Sequence, residues 1–314
     1  MNPQVGKLIE LLKSMESQGV PPLWQLSPQE ARLAADTMIG AAFNDGGPIM
    51  VETRDFEIPG RRRAIMARLY VPEGVGESSP GFLFLHGGGW VLGSPDTHDR
   101  LARELATGVG ARVLSIAYAL APEHPYPEGL HDCVDAAQWL GVHGAEVGMD
   151  VGRLLIGGDS AGGNLAAATL LRLREEGGPA FRAAIYIYGA FALTIDTPSM
   201  QAWGDRDLIL SHKTMDWFRR LYLGDAVIAA ISDDPYAAPI HGDLRGFPPA
   251  VLVVGSLDPL QSDSEMFAAA LAKAGVENEL HVFDDAPHAF AQIFMLDMAA
   301  DAIARISAFA RARL

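Results

Sequence analysis

The spacing of apolar residues predicts helices at the start of the chain. Between Val5 and Leu12, apolar residues recur every three or four positions with charged residues between them, which is the helical period. A second helix is predicted to begin at Ser27, whose hydroxyl can cap it while Glu30 closes a capping box. Residues 1–50 are therefore expected to be helical, ahead of any strand.

The period changes at Val51, where strand patterns begin. Val51–Ile58 and Arg63–Val71 alternate apolar and polar residues, which predicts a β-hairpin around Pro59-Gly60. Apolar runs then predict further strands at Gly81–Leu85, Val113–Tyr118, Leu154–Gly157, Ala183–Tyr188, Ala250–Val254 and Glu279–Phe283. Helical patterns lie between or after them, at Leu101–Gly108, His131–Leu140, the segment after Ser160, Ser264–Ala274 and Met298–Ala312. This alternation predicts an α/β fold with a mostly parallel central sheet and helices on both faces.

One segment interrupts the alternation. Residues 193–235 carry aromatic residues among many charges and show no strand pattern, so we interpret them as an inserted helical segment. The sheet domain is then expected in two parts, residues 51–192 and residues 236–314. Neither internal repeats nor low-complexity segments occur in the sequence.

Composition excludes several classes of partner. The 314 residues, 49% hydrophobic and 20% charged, are enough for a large buried core. A net charge of −15 argues against nucleic acid or an anionic membrane surface as partner, because both require clustered Lys and Arg. The one basic run, Arg61–Arg63, is interpreted as an exposed hairpin turn. A single cysteine, Cys133, and the lack of a signal-peptide or membrane-spanning pattern favour a cytoplasmic protein.

A serine stands between a predicted strand and a predicted helix. Residues 158–162 read Gly-Asp-Ser-Ala-Gly, a G-x-S-x-G turn that exposes the hydroxyl of Ser160 at the end of the strand. The glycines on either side avoid a side-chain clash in this sharp turn. Because a helix begins there, the N–H of Ala161 is free to bind an oxygen that develops charge beside Ser160.

Two further loops can supply a base and a carboxylate. Asp258 follows the predicted strand Ala250–Val254, and His288 follows the strand Glu279–Phe283. Catalytic groups in parallel sheets collect at the carboxyl ends of the strands, so these loops can converge on Ser160. The chain order Ser, Asp, His is the one expected of an α/β-hydrolase.

A glycine loop follows the strand Gly81–Leu85. In His86-Gly87-Gly88-Gly89-Trp90, three consecutive glycines leave backbone N–H groups open to a substrate oxyanion. His86 itself is interpreted as a structural histidine that fixes this loop by hydrogen bonds. Trp90 beside the loop and Asp159 beside Ser160 are expected to border the substrate pocket.

Together these motifs resemble those of the bacterial hormone-sensitive-lipase family of α/β-hydrolase carboxylesterases. The resemblance covers nearly the whole chain. Besides the glycine loop and the serine turn, it is carried by Tyr118–Pro127, similar to the family's Y-R-L-A-P-E-H-P-F-P, by Asp234–Pro239, by Asp258–Leu260 and by His288–Phe290. Three positions depart from the family pattern: Ala119 replaces an arginine, Ser262 a second aspartate and Asp285 a common glycine.

The resemblance implies a division of roles. Ser160 is expected to be the nucleophile, His288 the general base and then acid, and Asp258 the carboxylate that orients it. The N–H groups of Gly88, Gly89 and Ala161 are expected to form the oxyanion hole. Residues 1–50 and 193–235 would form a helical cap over the site, and a homodimer is suggested because family members often are dimers.

The sequence therefore predicts a serine carboxylesterase that acts on short- to medium-chain acyl esters as small-molecule substrates. No cofactor is expected, and a catalytic metal is not expected because the histidines have no metal-ligand spacing such as H-E-x-x-H. Amides, lactones or thioesters remain possible substrates of the same machinery. From another class, the chain could be a ligand-binding protein on the same fold, or its first helix could anchor it to a membrane or a partner.

Overall fold

The computed structural model describes residues 2–206, 208–225 and 233–314. Within these ranges one sheet of eight strands has the order β1-β2-β4-β3-β5-β6-β7-β8. The strands are β1 (Glu52–Pro59), β2 (Ala64–Val71), β3 (Ser79–Leu85), β4 (Arg112–Ile116), β5 (Met149–Asp159), β6 (Phe181–Ile187), β7 (Ala250–Gly255) and β8 (Asn278–Phe283). The β1–β2 and β2–β4 pairs are antiparallel, and every other pair is parallel. The predicted mostly parallel sheet is confirmed.

Helices lie between the strands, as the alternation predicted. They are α1 (Pro3–Ser17), α2 (Pro28–Phe43), α3 (Asp99–Val109), α4 (Glu128–His143), α5 (Ala161–Glu176), α6 (Pro198–Trp203), α7 (His212–Leu223), α8 (Gln261–Lys273) and α9 (Asp297–Arg311). The capping box at the start of α2 is present, with the Ser27 hydroxyl accepting from the Glu30 N–H and the Glu30 carboxylate accepting from the Ser27 N–H. Residues 207 and 226–232 of the predicted insertion lie outside the described residues.

The central strand β5 is longer than its apolar run predicted. The prediction began at Leu154, whereas pairing with β3 extends the strand back to Met149 through a register shift. Asp150 and Arg153 in this extension are partly exposed and pair with each other, so they show no apolar pattern. Backbone pairing across the sheet, rather than side-chain burial, therefore decides where this strand begins.

The sheet is covered on both faces. Leu154 and Ile156 of β5 point into a core shared with α4, α5 and α8, whereas Leu155 points into a second core shared with α3 and α9. Successive side chains of a strand alternate between faces, and helices on both faces bury both sets. Cys133 is buried in the first core.

Helix α1 packs against the second face of the sheet domain. Val5 is 0% and Leu8 is 2% exposed, both in the core that includes α3 and α9. An anchor for a membrane or a partner would need this apolar face to be free. The packing therefore argues against the anchor hypothesis. Within the described residues, no helix is both long enough and apolar enough to cross a membrane.

The arginines of the basic run Arg61–Arg63 form ion pairs with helices, which their interpretation as an exposed turn did not include. Arg61 pairs with Asp135 of α4 and Glu176 of α5, at 2.7 and 2.6 Å. The guanidinium of Arg63 donates to Asp132 of α4 at 2.6 Å, and the same carboxylate oxygen accepts the N–H of Ala119 at 2.8 Å. Arg63 thus supplies a cation next to the position where Ala119 replaces the family's arginine.

Asp263 of α8 supports the loop that follows β6. Its Oδ1 accepts the N–H groups of Phe191 and Ala192, both at 2.9 Å, while Oδ2 is buried without a partner among the described residues. Burial raises the pKa of this carboxyl to about 7, because the charged form loses solvation that the two hydrogen bonds only partly replace. Between about pH 4 and pH 7, the Asp263 carboxyl therefore keeps its proton in the folded chain but loses it in the unfolded chain, where its pKa is near 3.8.

This proton predicts a pH-dependent stability. Because the folded pKa is raised, the contribution of Asp263 is fully present below about pH 4 and is lost as the pH rises toward 7. The free energy of unfolding of the wild type, relative to Asp263→Asn, should fall over this range by up to about 1.4 kcal/mol per pH unit. Urea unfolding of both proteins at a series of pH values measures it, and a constant difference would contradict the shift.

Candidate active site

Ser160 lies at a sharp turn between β5 and α5. Its φ of 52° and ψ of −117° are strained for a residue with a side chain, and they aim the hydroxyl out of the turn. A Cβ on Gly158 would lie 2.1 Å from the carbonyl oxygen of Leu85, and one on Gly162 would lie 1.9 Å from the same oxygen. Only glycine therefore fits two residues before and two residues after this serine, which explains the G-x-S-x-G spacing.

The three predicted polar groups meet at this turn. His288 Nε2 lies 3.0 Å from Ser160 Oγ, and His288 Nδ1 donates to Asp258 Oδ2 at 2.8 Å. Since the carboxylate accepts at Nδ1, the neutral imidazole carries its proton there and presents the Nε2 lone pair to the serine. Asp258 is 0% and His288 is 6% exposed, so this hydrogen bond is shielded from water.

A hydrogen bond within its own loop fixes the orientation of Asp258. Its second carboxylate oxygen, Oδ1, accepts the N–H of Leu260 at 2.7 Å. Ser262, where the family has an aspartate, exchanges two hydrogen bonds with Ser199 of α6: each hydroxyl accepts the other residue's N–H, at 3.0 and 3.1 Å. The Ser199 hydroxyl donates to the carbonyl of Pro259 at 2.6 Å. These contacts fasten the carboxylate loop to α6.

The glycine loop turns back beside Ser160. Gly88 has a φ of 117° and Gly89 a φ of 59°, and the N–H of Leu92 donates to the carbonyl of Gly88 at 2.8 Å. Among the described residues, the N–H groups of Gly88, Gly89 and Ala161 bond no acceptor. A Cβ on Gly89 would lie 2.2 Å from the ring of Phe218, so the loop is packed directly under α7.

Asp159 anchors this loop to the serine turn. Its Oδ1 accepts the N–H of Gly87 at 2.8 Å, and its Oδ2 accepts from His98 Nε2 at 3.3 Å. Asp159 lies beside the cleft above Ser160 but is only 2% exposed. Both of its carboxylate oxygens therefore already have partners within the protein. The role of His98 carries no signal in the sequence, because it lies in a loop with no motif.

His86 lies beneath the loop rather than in the cleft. Its Nδ1 donates to the carbonyl of Gly87 at 2.8 Å, and its ring stacks on Tyr118 with centroids 4.2 Å apart. Full burial lowers its pKa to about 3, so the imidazole is neutral at ordinary pH. These contacts are those of a histidine that fixes the loop.

Trp90 also borders the cleft but is 1% exposed. Its ring stacks on Tyr222 of α7 with centroids 4.6 Å apart, and its indole N–H donates to Asn164 at 3.4 Å. Asn164 in turn donates to the carbonyls of Ala190 and Ala237, both at 2.8 Å. Trp90 thus joins the glycine loop to α5 and α7.

The cleft above Ser160 has a volume of about 750 Å³ and opens to solvent. The cleft is also lined by residues that no sequence motif identified. They come from the segment before α2, from α7 and the residues just before it, and from the segment after His288: Leu23, Ile209, Leu210, Thr214, Met215 and Gln292. Their patterns in the sequence are ordinary apolar or polar ones, so only their meeting in space identifies them. In the described part of the chain, no group of three or more His, Cys, Asp or Glu could hold a metal ion.

Known proteins resemble this chain over most of its length. Residues 82–292 match a family described by the alpha/beta hydrolase fold. The carboxylic ester hydrolase LipN of Mycobacterium tuberculosis is 38% identical over 257 residues, which are 80% of this chain and 67% of that protein. The ethyl acetate hydrolase of Pseudomonas putida is 31% identical over 303 residues, which are 92% of each protein.

Solved structures show the same similarity in three dimensions. The hyperthermophilic esterase from the archaeon Pyrobaculum calidifontis superimposes with a TM-score of 0.90 at 33% identity, and the match covers 97% of each chain. The family match, the curated relatives and this structure point to one group. The chain belongs to the hormone-sensitive-lipase family of α/β-hydrolases and is a carboxylic ester hydrolase.

Proposed function

We propose that this serine carboxylesterase works through an acyl-enzyme on Ser160 and prefers esters with short- to medium-chain acyl groups. The observation that carries the mechanism is the line of hydrogen bonds from Asp258 through His288 to Ser160, at 2.8 and 3.0 Å, at the floor of the cleft. This is the arrangement that activates a serine hydroxyl, whatever the fold that supports it.

In the acylation step, Ser160 Oγ attacks the ester carbonyl carbon as its proton passes to His288 Nε2. The carbonyl oxygen becomes an oxyanion, and we propose that the N–H groups of Gly88, Gly89 and Ala161, which have no acceptor among the described residues, donate to it. The tetrahedral intermediate then breaks its bond to the alcohol oxygen, which takes the proton from His288. Asp258 stabilises the imidazolium that exists between these two transfers.

Water completes the cycle in the deacylation step. His288 Nε2 takes a proton from a water molecule, and the resulting hydroxide attacks the acyl carbon of the Ser160 ester. The same N–H groups bind the second oxyanion. Its collapse breaks the bond to Ser160 Oγ, which regains its proton from His288, and the carboxylic acid leaves. Every proton taken is returned, so the cycle requires no cofactor.

The cap is proposed to consist of residues 1–50 and 193–235 and to set the acyl-chain preference. Its contacts with the cleft support this: Leu23 comes from the first segment, and Met215 and Phe218 come from α7. Helix α1 packs on the sheet domain, so the part of residues 1–50 that borders the cleft is the segment near Leu23. The proposed preference for short acyl chains rests on these three large apolar side chains, which border the cleft where an acyl chain would extend.

The chain is also proposed to be cytoplasmic and to form a homodimer. Its single, buried cysteine suits a reducing compartment.

The homodimer proposal rests on the edge of the sheet. Strand β8 ends the sheet with one edge unpaired in the described structure, and Val282 on it is 41% exposed. An open strand edge is a ready site for pairing with a second copy. Sedimentation velocity should then show the mass of two chains, whereas a single-chain mass at every concentration would contradict the dimer.

Removing the nucleophile tests the mechanism. Ser160→Ala should lower kcat/KM for p-nitrophenyl butanoate by at least about 10⁴-fold, because no other group can form the acyl-enzyme. A serine-directed phosphonate should label the wild type once, at Ser160, and leave the variant unlabelled. Ser17→Ala, at an exposed serine in α1, is the matched control and should behave like wild type. Labelling of Ser160→Ala at wild-type level would contradict the assignment.

Replacing a large cap side chain that lines the cleft tests the proposed acyl-chain preference. Phe218→Ala should raise kcat/KM for p-nitrophenyl octanoate relative to the acetate by about tenfold, because it opens the cleft above Gly89. It should also cost about 3–5 kcal/mol of stability, so the assay is run well below the midpoint of unfolding. Trp217→Ala, next to it on α7 but not lining the cleft, is the control. An equal change in both variants would contradict a specific role of Phe218.

A further inference from the structure

One side chain of the cleft has an unused hydrogen-bonding atom. The polar side chains that line the cleft are His98, Asp159, Ser160, Thr214, His288 and Gln292. Among these described residues, only Gln292 lacks a partner: it is 7% exposed, and its Oε1 is buried without a hydrogen bond. A buried amide oxygen without a partner is costly, and such groups in native proteins usually await a ligand or water.

The other polar groups of the cleft are already engaged. Thr214 Oγ1 is 2.9 Å from the hydroxyl of Ser211, the cap of α7. His98 lies 2.8 Å from Thr97 Oγ1 and 3.3 Å from Asp159. A polar group on a bound substrate therefore meets one available side chain, Gln292, besides the reacting groups themselves.

The position of Gln292 indicates which part of the substrate it meets. Gln292 ends a short helical turn, Phe290–Gln292, and its N–H donates to the carbonyl of Ala289 at 3.1 Å. His288, Ala289 and Gln292 thus line the cleft from one segment of five residues. In the proposed mechanism His288 hands its proton to the departing alcohol, so this segment borders the alcohol side. The proposed function puts the acyl chain toward Phe218 of the cap, which packs over the glycine loop.

We propose that Gln292 is a specificity-determining residue that hydrogen-bonds a hydroxyl on the alcohol part of the ester. The preferred substrates are then esters of diols or other hydroxylated alcohols with short acyl groups, rather than esters of simple alkanols. The inference rests on the proposed function, because it uses His288 as the donor to the leaving alcohol. A carboxamide offers both an acceptor and a donor, and a hydroxyl matches either.

The test compares two esters that differ by one group. In 2-hydroxyethyl butanoate a hydroxyl replaces the terminal methyl of propyl butanoate, so the two have nearly the same size. The ratio of their kcat/KM values, measured by titration of the released acid, should be about 3- to 10-fold lower in Gln292→Met than in wild type. Gln261→Met, at a partly exposed glutamine that donates to Glu265, is the matched control and should keep the wild-type ratio.

A second pair of esters tests the placement on the alcohol side. Propyl 3-hydroxybutanoate and propyl 3-methylbutanoate carry the same exchange of hydroxyl for methyl on the acyl group. Their ratio should be unchanged in Gln292→Met. A change confined to this pair, or an unchanged ratio for both pairs, would overturn the proposal.

Two further measurements separate this inference from the proposed function. Hydrolysis of propyl butanoate and phosphonate labelling of Ser160 report the function itself, and neither depends on a hydroxyl on the substrate. Gln292→Asn withdraws the carboxamide by one methylene and keeps the side chain polar. Gln292→Asn should lower the ratio for the first pair of esters as Gln292→Met does. If the phosphonate does not label Gln292→Met, because that variant has lost its active fold, the result for Gln292→Asn tests the proposal instead. A labelled Gln292→Asn with the wild-type ratio would overturn the role of Gln292.

Discussion

The close approach of two glycines to one carbonyl oxygen is the constraint on which the site depends. Leu85 ends β3, and its carbonyl leaves no room for a Cβ on Gly158 or Gly162. The serine turn is therefore pressed against the point where β3 becomes the glycine loop. A single backbone contact thus sets the distance between the nucleophile and the N–H groups proposed to bind the oxyanion. The strain at Ser160 persists because strands and helix on either side hold the turn in place.

Around this contact, buried carboxylates hold the loops that carry the reacting groups. Asp159 binds the glycine loop through the N–H of Gly87, Asp258 binds its own loop through Leu260, and Asp263 binds the segment after β6. Each of these carboxylates accepts backbone N–H groups that would otherwise be buried without a partner. Hydrogen bonds to a charged or partly charged acceptor are stronger than neutral ones. The loops are therefore positioned by the protein before a substrate arrives.

Apolar contacts, rather than hydrogen bonds to carboxylates, form the part of the cleft that the cap segments contribute. Leu23 from the segment before α2, and Met215 and Phe218 from α7, contribute apolar side chains that contact the cleft without side-chain hydrogen bonds. Apolar contacts are not directional, so this part of the cleft can change its shape by substitution without disturbing the groups proposed to react. Gln292 differs from these side chains, because it comes from the segment after His288 and brings an unpaired amide oxygen to the cleft.

The sequence alone determined the class of fold and the candidate site residues, because local patterns of apolar, polar and glycine residues indicate both. Alternating apolar strands and amphipathic helices predict a covered parallel sheet, and the turn at Ser160 requires its glycines wherever it occurs. The extent of β5, the pairing of Arg63 with Asp132 and the roles of His98 and Asp159 were not predictable in this way. Nor was the lining of the cleft, to which Leu23 and Gln292 both contribute from positions near the two ends of the chain. Such contacts leave no periodicity, since they arise only when the packed sheet brings distant segments together.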